Sequence, residues 1–385
     1  MSAYSALSEE QTLDLESAIG AKVLKMEAIE SGVSNSIYKT TLQTAEGLEE
    51  AVVIISETPD RTAFGVSADE SANIPELMFY MADKIGIKGL TDRDNAPVNT
   101  VVPMPYIWNN TDKSRIMQFE HASEDRLVDK TVFIIPFVNG RELDWDMNKC
   151  QNINDITQAG KGLAIFHTAS EGFPLADRMA NPFGFEKWIP ALDDLLSRPE
   201  SELNLNSFLQ QKGSSLQVTN VLQTLSNEAK YIQNEWSQKT SELPKGIIHG
   251  DYFPDNMIMS TEGKQVILDF GNSCHEVQAY DIALALNAWT SENGKHSQRN
   301  IQAFLEGYDS VKELDKDTVK AIPFLGRAVS FSRALLRTEI ALNSEQAEHA
   351  NSPEECLTQL AGWRIKEKNN IQIFKSSELN NNLNR

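Results

Sequence analysis

The alternation of apolar and polar positions divides the chain into a strand-rich first part and a helix-rich second part. In residues 6–19, Leu7, Leu13, Leu15 and Ala18 recur among acidic residues, which predicts a short helix. The pattern then changes to that of strands, at 22–29, 37–42 and the apolar run 51–55. Thr44-Ala45-Glu46-Gly47 fits the turn between the last two, with Gly47 supplying a positive φ. Three strands in a meander need a helix or further strands over one face. Residues 58–73 are polar and irregular. A helix is predicted over 75–85, because proline suits a first turn and Leu77, Met78 and Met81 mark one face.

Short strand-like pieces broken by polar stretches fill 91–130. The run TVFIIPFV at 131–138 reads as a buried strand entering a connector, and it stops at Asn139-Gly140. Helical spacing dominates afterwards: Ile156, Ala159, Leu163 and Phe166, then Val218, Val221, Leu222, Leu225, Ile232 and Trp236. Residues 190–214 are polar and read as a surface excursion. The last dozen residues read as a frayed end, and no internal repeat of 20–50 residues is present. Strands segregated from helices predict an α+β chain of two lobes, about 1–138 and 139–385, with a cleft between them.

Composition narrows the partners. The 385 residues carry 35 Lys+Arg against 55 Asp+Glu, a net charge of −20. Most of such a surface repels nucleic acid. A small anionic ligand remains possible where backbone amides or a metal ion override the global field. Cys150, Cys274 and Cys356 are odd in number and scattered, with no CxxC, which predicts reduced thiols in a cytoplasmic setting. The acidic N-terminus has no apolar core of a secretory leader, and no run approaches the length of a membrane span. Six histidines show no zinc spacing.

The chemistry concentrates in residues 246–289. Asp251 and Asn256 lie five apart in a short Pro-containing loop. A strand-like 257–260, a turn at Gly263 and a second strand ending at Asp269 follow. Such a hairpin brings Asn256 and Asp269 together at one end, so two carboxylates and an amide surround one point. Oxygen ligands of this kind suit Mg²⁺, which takes the rest of its shell from water and substrate phosphates. A carboxylate outside the metal shell can orient and deprotonate a hydroxyl, which is the logic of phosphoryl transfer. By chance the same residues would make only a turn and a helix cap.

The motif H-G-D-x-x-x-x-N, followed thirteen residues later by D-F-G, resembles the aminoglycoside phosphotransferase/choline kinase superfamily of protein-kinase-like fold. The resemblance extends over nearly the whole chain and is closest to the bacterial homoserine kinases of that fold. IESGVSNSIY (29–38), PELMFY (75–80), PFVNG (136–140), LAIFH (163–167), AYDIALALNAW (279–289) and the F-L-x-G-Y at 304–308 carry it. It implies a small, mainly antiparallel β N-lobe with one main helix and a larger, mainly helical C-lobe. It further implies ATP and Mg²⁺, a small hydroxylated acceptor, and homoserine phosphorylation in threonine biosynthesis.

Roles carry over by position. Asp251 matches the catalytic base, and Asn256 and Asp269 match the Mg²⁺ ligands. Gly32, Ser34, Asn35 and Ser36 match the loop over the nucleotide phosphates, although alone they read as a polar turn. Pro136, Phe137 and Val138 match the connector that binds adenine through backbone groups. Glu76 matches the helix acid that pairs with a strand lysine. Here the chain departs from most of the superfamily, because Ile54 stands at the lysine's place. The homoserine kinase group also tends to lack that lysine, and Lys39 and Arg61 are substitute candidates.

His249 is expected to orient the loop, and His167 to be a packed core histidine. Asp281, like Glu276, Arg333 and Arg337, is a candidate near the acceptor, and in the family this acid braces the catalytic loop. Arg327 is a further candidate for an acceptor carboxylate. Solvated surface arginines are the plainer reading for these positions. Choline, ethanolamine, a methylthio-sugar, hydroxylysine or an aminoglycoside are alternative acceptors. A choline site would need an aromatic cage, for which Trp145, Trp289 and Tyr308 are candidates. A nucleotide-binding regulator without turnover is the reading outside enzymes, supported only by the absent lysine.

Overall fold

Ser8 caps the first helix, α1 (Glu9–Ile19), by accepting from Gln11 N, while the Gln11 side chain returns to Ser8 N. The computed structural model describes residues 6–29, 35–57, 73–87, 91–93, 99–105, 117–123, 126–143, 151–181, 184–198, 205–214, 216–342 and 352–374. The irregular stretch 58–72, the phosphate-loop candidates Gly32 and Ser34, Arg61, Trp145, Cys150 and the tail 375–385 lie outside them.

Strands β1 (Lys22–Ala28), β2 (Asn35–Gln43) and β3 (Leu48–Glu57) form the expected meander; β1 ends one residue early, and β2 and β3 run longer than their apolar cores suggested. The turn before β3 does place Gly47 at φ 137. Helix α2 (Asn73–Ile87), the short β4 (Thr100–Val101), β5 (Met117–Ser123) and β6 (Arg126–Pro136) follow. The sheet is antiparallel in the order β1-β2-β3-β6-β5. Side chains alternate across it. Ala51, Val53, Ile55, Val132 and Ile134 pack with Leu15 of α1 on one face. Phe133 and Ile135, with Val52 and Ile54 beside them, pack with Leu77, Met78 and Met81 of α2 on the other. β6 stops at Pro136, two residues short of the apolar run, although Phe137 N still donates to Glu50 O at 3.1 Å.

The chain then crosses to β7 (Gly140–Glu142) and becomes helical: α3 (Ile153–Ala169), α4 (Phe185–Ser197), α5 (Leu205–Gln211) and α6 (Val218–Thr240). The surface excursion expected at 190–214 is wrong. Trp188, Leu192 and Leu195 form a buried helical stripe, and Phe208 and Leu209 are also buried. Asp193, Asp194 and Ser197 are exposed on the outer face of α4, and Ser207, Gln210 and Gln211 on that of α5.

Next come β8 (Lys245–Ile248), β9 (Met257–Ser260), β10 (Gln265–Ile267), β11 (Cys274–Val277) and α7 (Gln278–Thr290). Helices α8 (Gln298–Asp309), α9 (Lys316–Leu342) and α10 (Glu354–Lys368) follow. A second sheet has the order β4-β10-β9-β7, and β8 pairs separately with β11. No helix among the described residues is long and apolar enough to cross a membrane.

Helices α3 and α8 meet backbone to backbone at two glycines. A Cβ on Gly160 would lie 2.0 Å from Phe304 O, and one on Gly307 would lie 2.1 Å from Thr157 O. Gly160→Ala must push these helices apart. We expect a loss of about 1–3 kcal/mol, the usual range for overpacking. An unchanged urea midpoint for that variant would show that the crossing is not tight.

Candidate active site

The site is built on the loop after β8. Gly250 takes φ +75, and a Cβ there would sit 2.4 Å from Asn272 O, so both the turn and the close approach require glycine. Asp281, in the first turn of α7, is fully buried. Its carboxylate accepts from His249 N at 2.7 Å and Gly250 N at 3.1 Å, and stands 3.1 Å from His167 Nε2. Asp281 therefore braces the loop from beneath and does not face an acceptor. His167 is the expected packed histidine, with Nδ1 2.7 Å from the Tyr308 hydroxyl. Burial lowers its pKa, so a neutral ring accepts from Tyr308 O–H and donates to Asp281.

His249 is likewise buried and spends both nitrogens on its surroundings. Nε2 donates to Leu268 O at 2.9 Å, and Nδ1 accepts from Asp251 N at 3.3 Å. Neither nitrogen is left for proton transfer, so the ring orients Asp251.

Asp251, Asn256 and Asp269 converge. Leu268 N donates to Asn256 O at 2.9 Å, closing the β9–β10 hairpin beside the loop. Asn256 Nδ2 donates to Asp251 O at 2.8 Å and lies 3.4 Å from Asp251 Oδ2. With its nitrogen so used, the Asn256 carbonyl oxygen is the atom suited to a cation. Asp269 adopts the left-handed conformation, φ 53 and ψ 71, and its Oδ1 accepts from Gly271 N at 3.2 Å. The residue is exposed on one side, and protein lies around it on the others. That partial burial, and next the charge of Asp251, raise its pKa. A divalent cation would relieve this crowding of negative charge. No group of three or more His, Cys, Asp or Glu among the described residues makes an all-protein metal cage. An aspartate and an amide fit Mg²⁺, which completes its shell with water and phosphate oxygens.

Of Arg327, Arg333 and Arg337, only Arg333 has a contact with this loop. Nη2 donates to Asp251 Oδ1 at 2.8 Å and to Gly250 O at 3.0 Å. Arg337 binds Glu355 at 3.1 Å and Ser352 O at 3.2 Å, in the contact between α9 and α10. Arg327 is buried between Glu228 and Glu367, over the Tyr231 ring. None is the solvated surface arginine that was the plainer expectation, since each is buried or half-buried against a carboxylate partner. Glu276, half-buried in β11, accepts from Asn181 Nδ2 at 3.0 Å. Asn181, Asn272, Tyr280 and Ser332 line a recess against Gly250 and Arg333. The sequence reading missed these four. Asn272 follows the D-F-G closely enough to have been suspected. Asn181 sits in an irregular segment, tied in by His275 N donating to Met179 O at 2.8 Å.

On the sheet side, Asn35 opens β2, and Ser36 is buried opposite Ile55. Glu76 is half-buried in the first turn of α2. Pro136 is exposed, while Phe137 and Val138 are half-buried. Lys39 pairs with Glu50 at 2.8 Å, its ammonium 4.0 Å over the Phe137 ring, at the connector.

A family model described as "Phosphotransferase enzyme family" matches residues 116–314, just over half of the chain. The homoserine kinase of Phenylobacterium zucineum is 31% identical over 181 residues, 47% of this chain and 50% of that protein. The chain spans about half the length of the curated relatives it matches. A solved amicoumacin kinase in complex with AMP-PNP, Ca²⁺ and Ami has a TM-score of 0.57 at 14% identity, covering 96% of this chain and 95% of that one. A microcompartment-associated aminopropanol kinase has a TM-score of 0.56 at 15% identity, covering 94% and 98%. These structures show the fold, the α+β protein-kinase-like architecture expected from the motifs.

Proposed function

The chain belongs to the phosphotransferase enzyme family, and from that premise we propose that it moves the γ-phosphate of ATP to the hydroxyl of a small acceptor, L-homoserine, in threonine biosynthesis. The observation that carries the reading is that Asn256 bonds the Asp251 backbone and lies beside its carboxylate, while the Leu268 N–H to Asn256 O bond brings Asp269 to the same end of the hairpin. In the reaction the acceptor hydroxyl oxygen bonds to the γ-phosphorus, the bond to the ADP oxygen breaks, and the hydroxyl proton passes to the Asp251 carboxylate. His249 and Asp281 hold that carboxylate in place through the loop. Asn256 and Asp269 would hold Mg²⁺, which when bound neutralises charge on the phosphate oxygens. Ser36 and the residues before it would cover the phosphates, and 136–138 would run beside the adenine. On this reading the lobes divide at about residue 138.

Homoserine in particular is supported by the homoserine kinases among the relatives. Of the proposed choline cage, Trp145 lies outside the described residues and the other two are already engaged. Trp289 is wholly buried with Nε1 bound to Tyr252 O, and Tyr308 is buried against His167.

The test is kcat/KM for L-homoserine, 3-amino-1-propanol, 4-hydroxybutyrate and choline at saturating Mg²⁺ and ATP. The second and third each lack one charged group of homoserine. A buried partner left unpaired costs roughly 1–3 kcal/mol. Each should therefore fall about 5- to 150-fold below homoserine. Choline outperforming homoserine would remove the homoserine assignment and leave the phosphotransferase reading standing.

A further inference from the structure

Arg333 joins the recess to the catalytic carboxylate. It rises from α9 with its guanidinium 5.0 Å over the Phe253 ring and its side chain 22% exposed. It is the only charged side chain among the described residues lining the recess, whose polar groups are otherwise neutral. Both Asp251 oxygens are engaged in this arrangement, Oδ1 by Arg333 at 2.8 Å and Oδ2 beside Asn256 Nδ2 at 3.4 Å. An acceptor hydroxyl that reaches Oδ1 therefore shares that oxygen with the guanidinium, which already takes one of its two lone pairs.

We propose that Arg333 exchanges partners during acceptor binding: a carboxylate on the acceptor draws the guanidinium away and opens Asp251 Oδ1 to the acceptor hydroxyl. The proposal rests on the phosphotransferase reading and deepens it, by naming short hydroxy acids and hydroxy amino acids as the class that switches the base on. A guanidinium can fork onto a carboxylate through two parallel hydrogen bonds, which adds direction to the charge attraction. One arginine serves both contacts, so the carboxylate and hydroxyl must belong to a short molecule. The oxygen–phosphorus bond then forms, the bond to ADP breaks, and the proton moves to Asp251 Oδ1.

The experiment separates recognition from turnover. With the parent protein at saturating Mg²⁺ and ATP, kcat and KM are measured for L-homoserine and for 3-amino-1-propanol, the latter with and without propionate. The exchange predicts that the deficit of the amino alcohol lies mainly in kcat, and that propionate in trans raises that kcat about tenfold. Arg333→Gln should bring the homoserine-to-aminopropanol ratio of kcat/KM down toward one and abolish the propionate response. The propionate arm needs no variant, so a poorly folding Arg333→Gln leaves the test intact. Propionate without effect on the parent overturns the exchange. So does an equal loss for both acceptors in a folded Arg333→Gln, which would assign the guanidinium to the base or the phosphate alone. If the parent releases no ADP with any hydroxyl acceptor, the phosphotransferase reading itself fails, and the exchange falls with it.

Discussion

Asp251→Asn should fold, bind nucleotide and lose turnover by about 10²–10⁴-fold, the usual contribution of a positioned general base. The substitution is nearly isosteric, so its carbonyl oxygen can still accept from Arg333 and the loop keeps its backbone bonds to Asp281. What disappears is the negatively charged oxygen that takes the hydroxyl proton. The Arg333–Asp251 pair is partly exposed, at 22% and 19%, so solvent screening keeps the stability change small. Three readouts separate the outcomes: ADP release, nucleotide binding and the thermal midpoint. A variant that keeps near-normal kcat would show that another group takes the proton. A variant that no longer folds would show that the pair holds the loop together.

The nearness of Asp251, Asn256 and Asp269 was legible because their geometry is local. The hairpin from Asn256 to Asp269 is set by strand length and the Gly263 turn, both written in consecutive residues. The meander and its turn were legible for the same reason. The fate of the arginines was not. Arg327, Arg333 and Arg337 look alike on α9, and what distinguishes them is Glu228 and Glu367 for the first, Asp251 for the second and Glu355 for the third. None of those acids is a near neighbour in sequence, so no periodicity could assign them. The helices around 190–210 were hidden differently. Polar outer faces diluted the stripe of Trp188, Leu192 and Leu195, and average composition outweighed spacing. Ile54 carried the reverse signal. A missing lysine is visible in the sequence, but its consequence shows only in the packing of Ile54 and Val52 toward α2 and the main core.

Removing the charge at Asp269 should cripple metal-dependent turnover. The loss should reach roughly 10³-fold or more, because a metal's charge stabilisation is worth several kcal/mol and about 1.4 kcal/mol is tenfold. Alanine is the blunt variant, since φ 53 is left-handed and unfavourable for it, so part of its effect could be conformational. Asp269→Asn is the sharper one. Asparagine tolerates the left-handed region, and its carbonyl can still accept from Gly271 N, so only the charge is lost. Both variants should recover partly at high Mg²⁺, and Asp269→Asn more completely. Asn256→Ala removes a neutral ligand together with its bond to Asp251 O, and about 10- to 100-fold is expected there. The parent should fall to background once divalent ions are chelated. Activity in the parent that is equal with and without divalent metal would remove Asn256 and Asp269 from the reaction, and with them the phosphoryl-transfer mechanism built on this site.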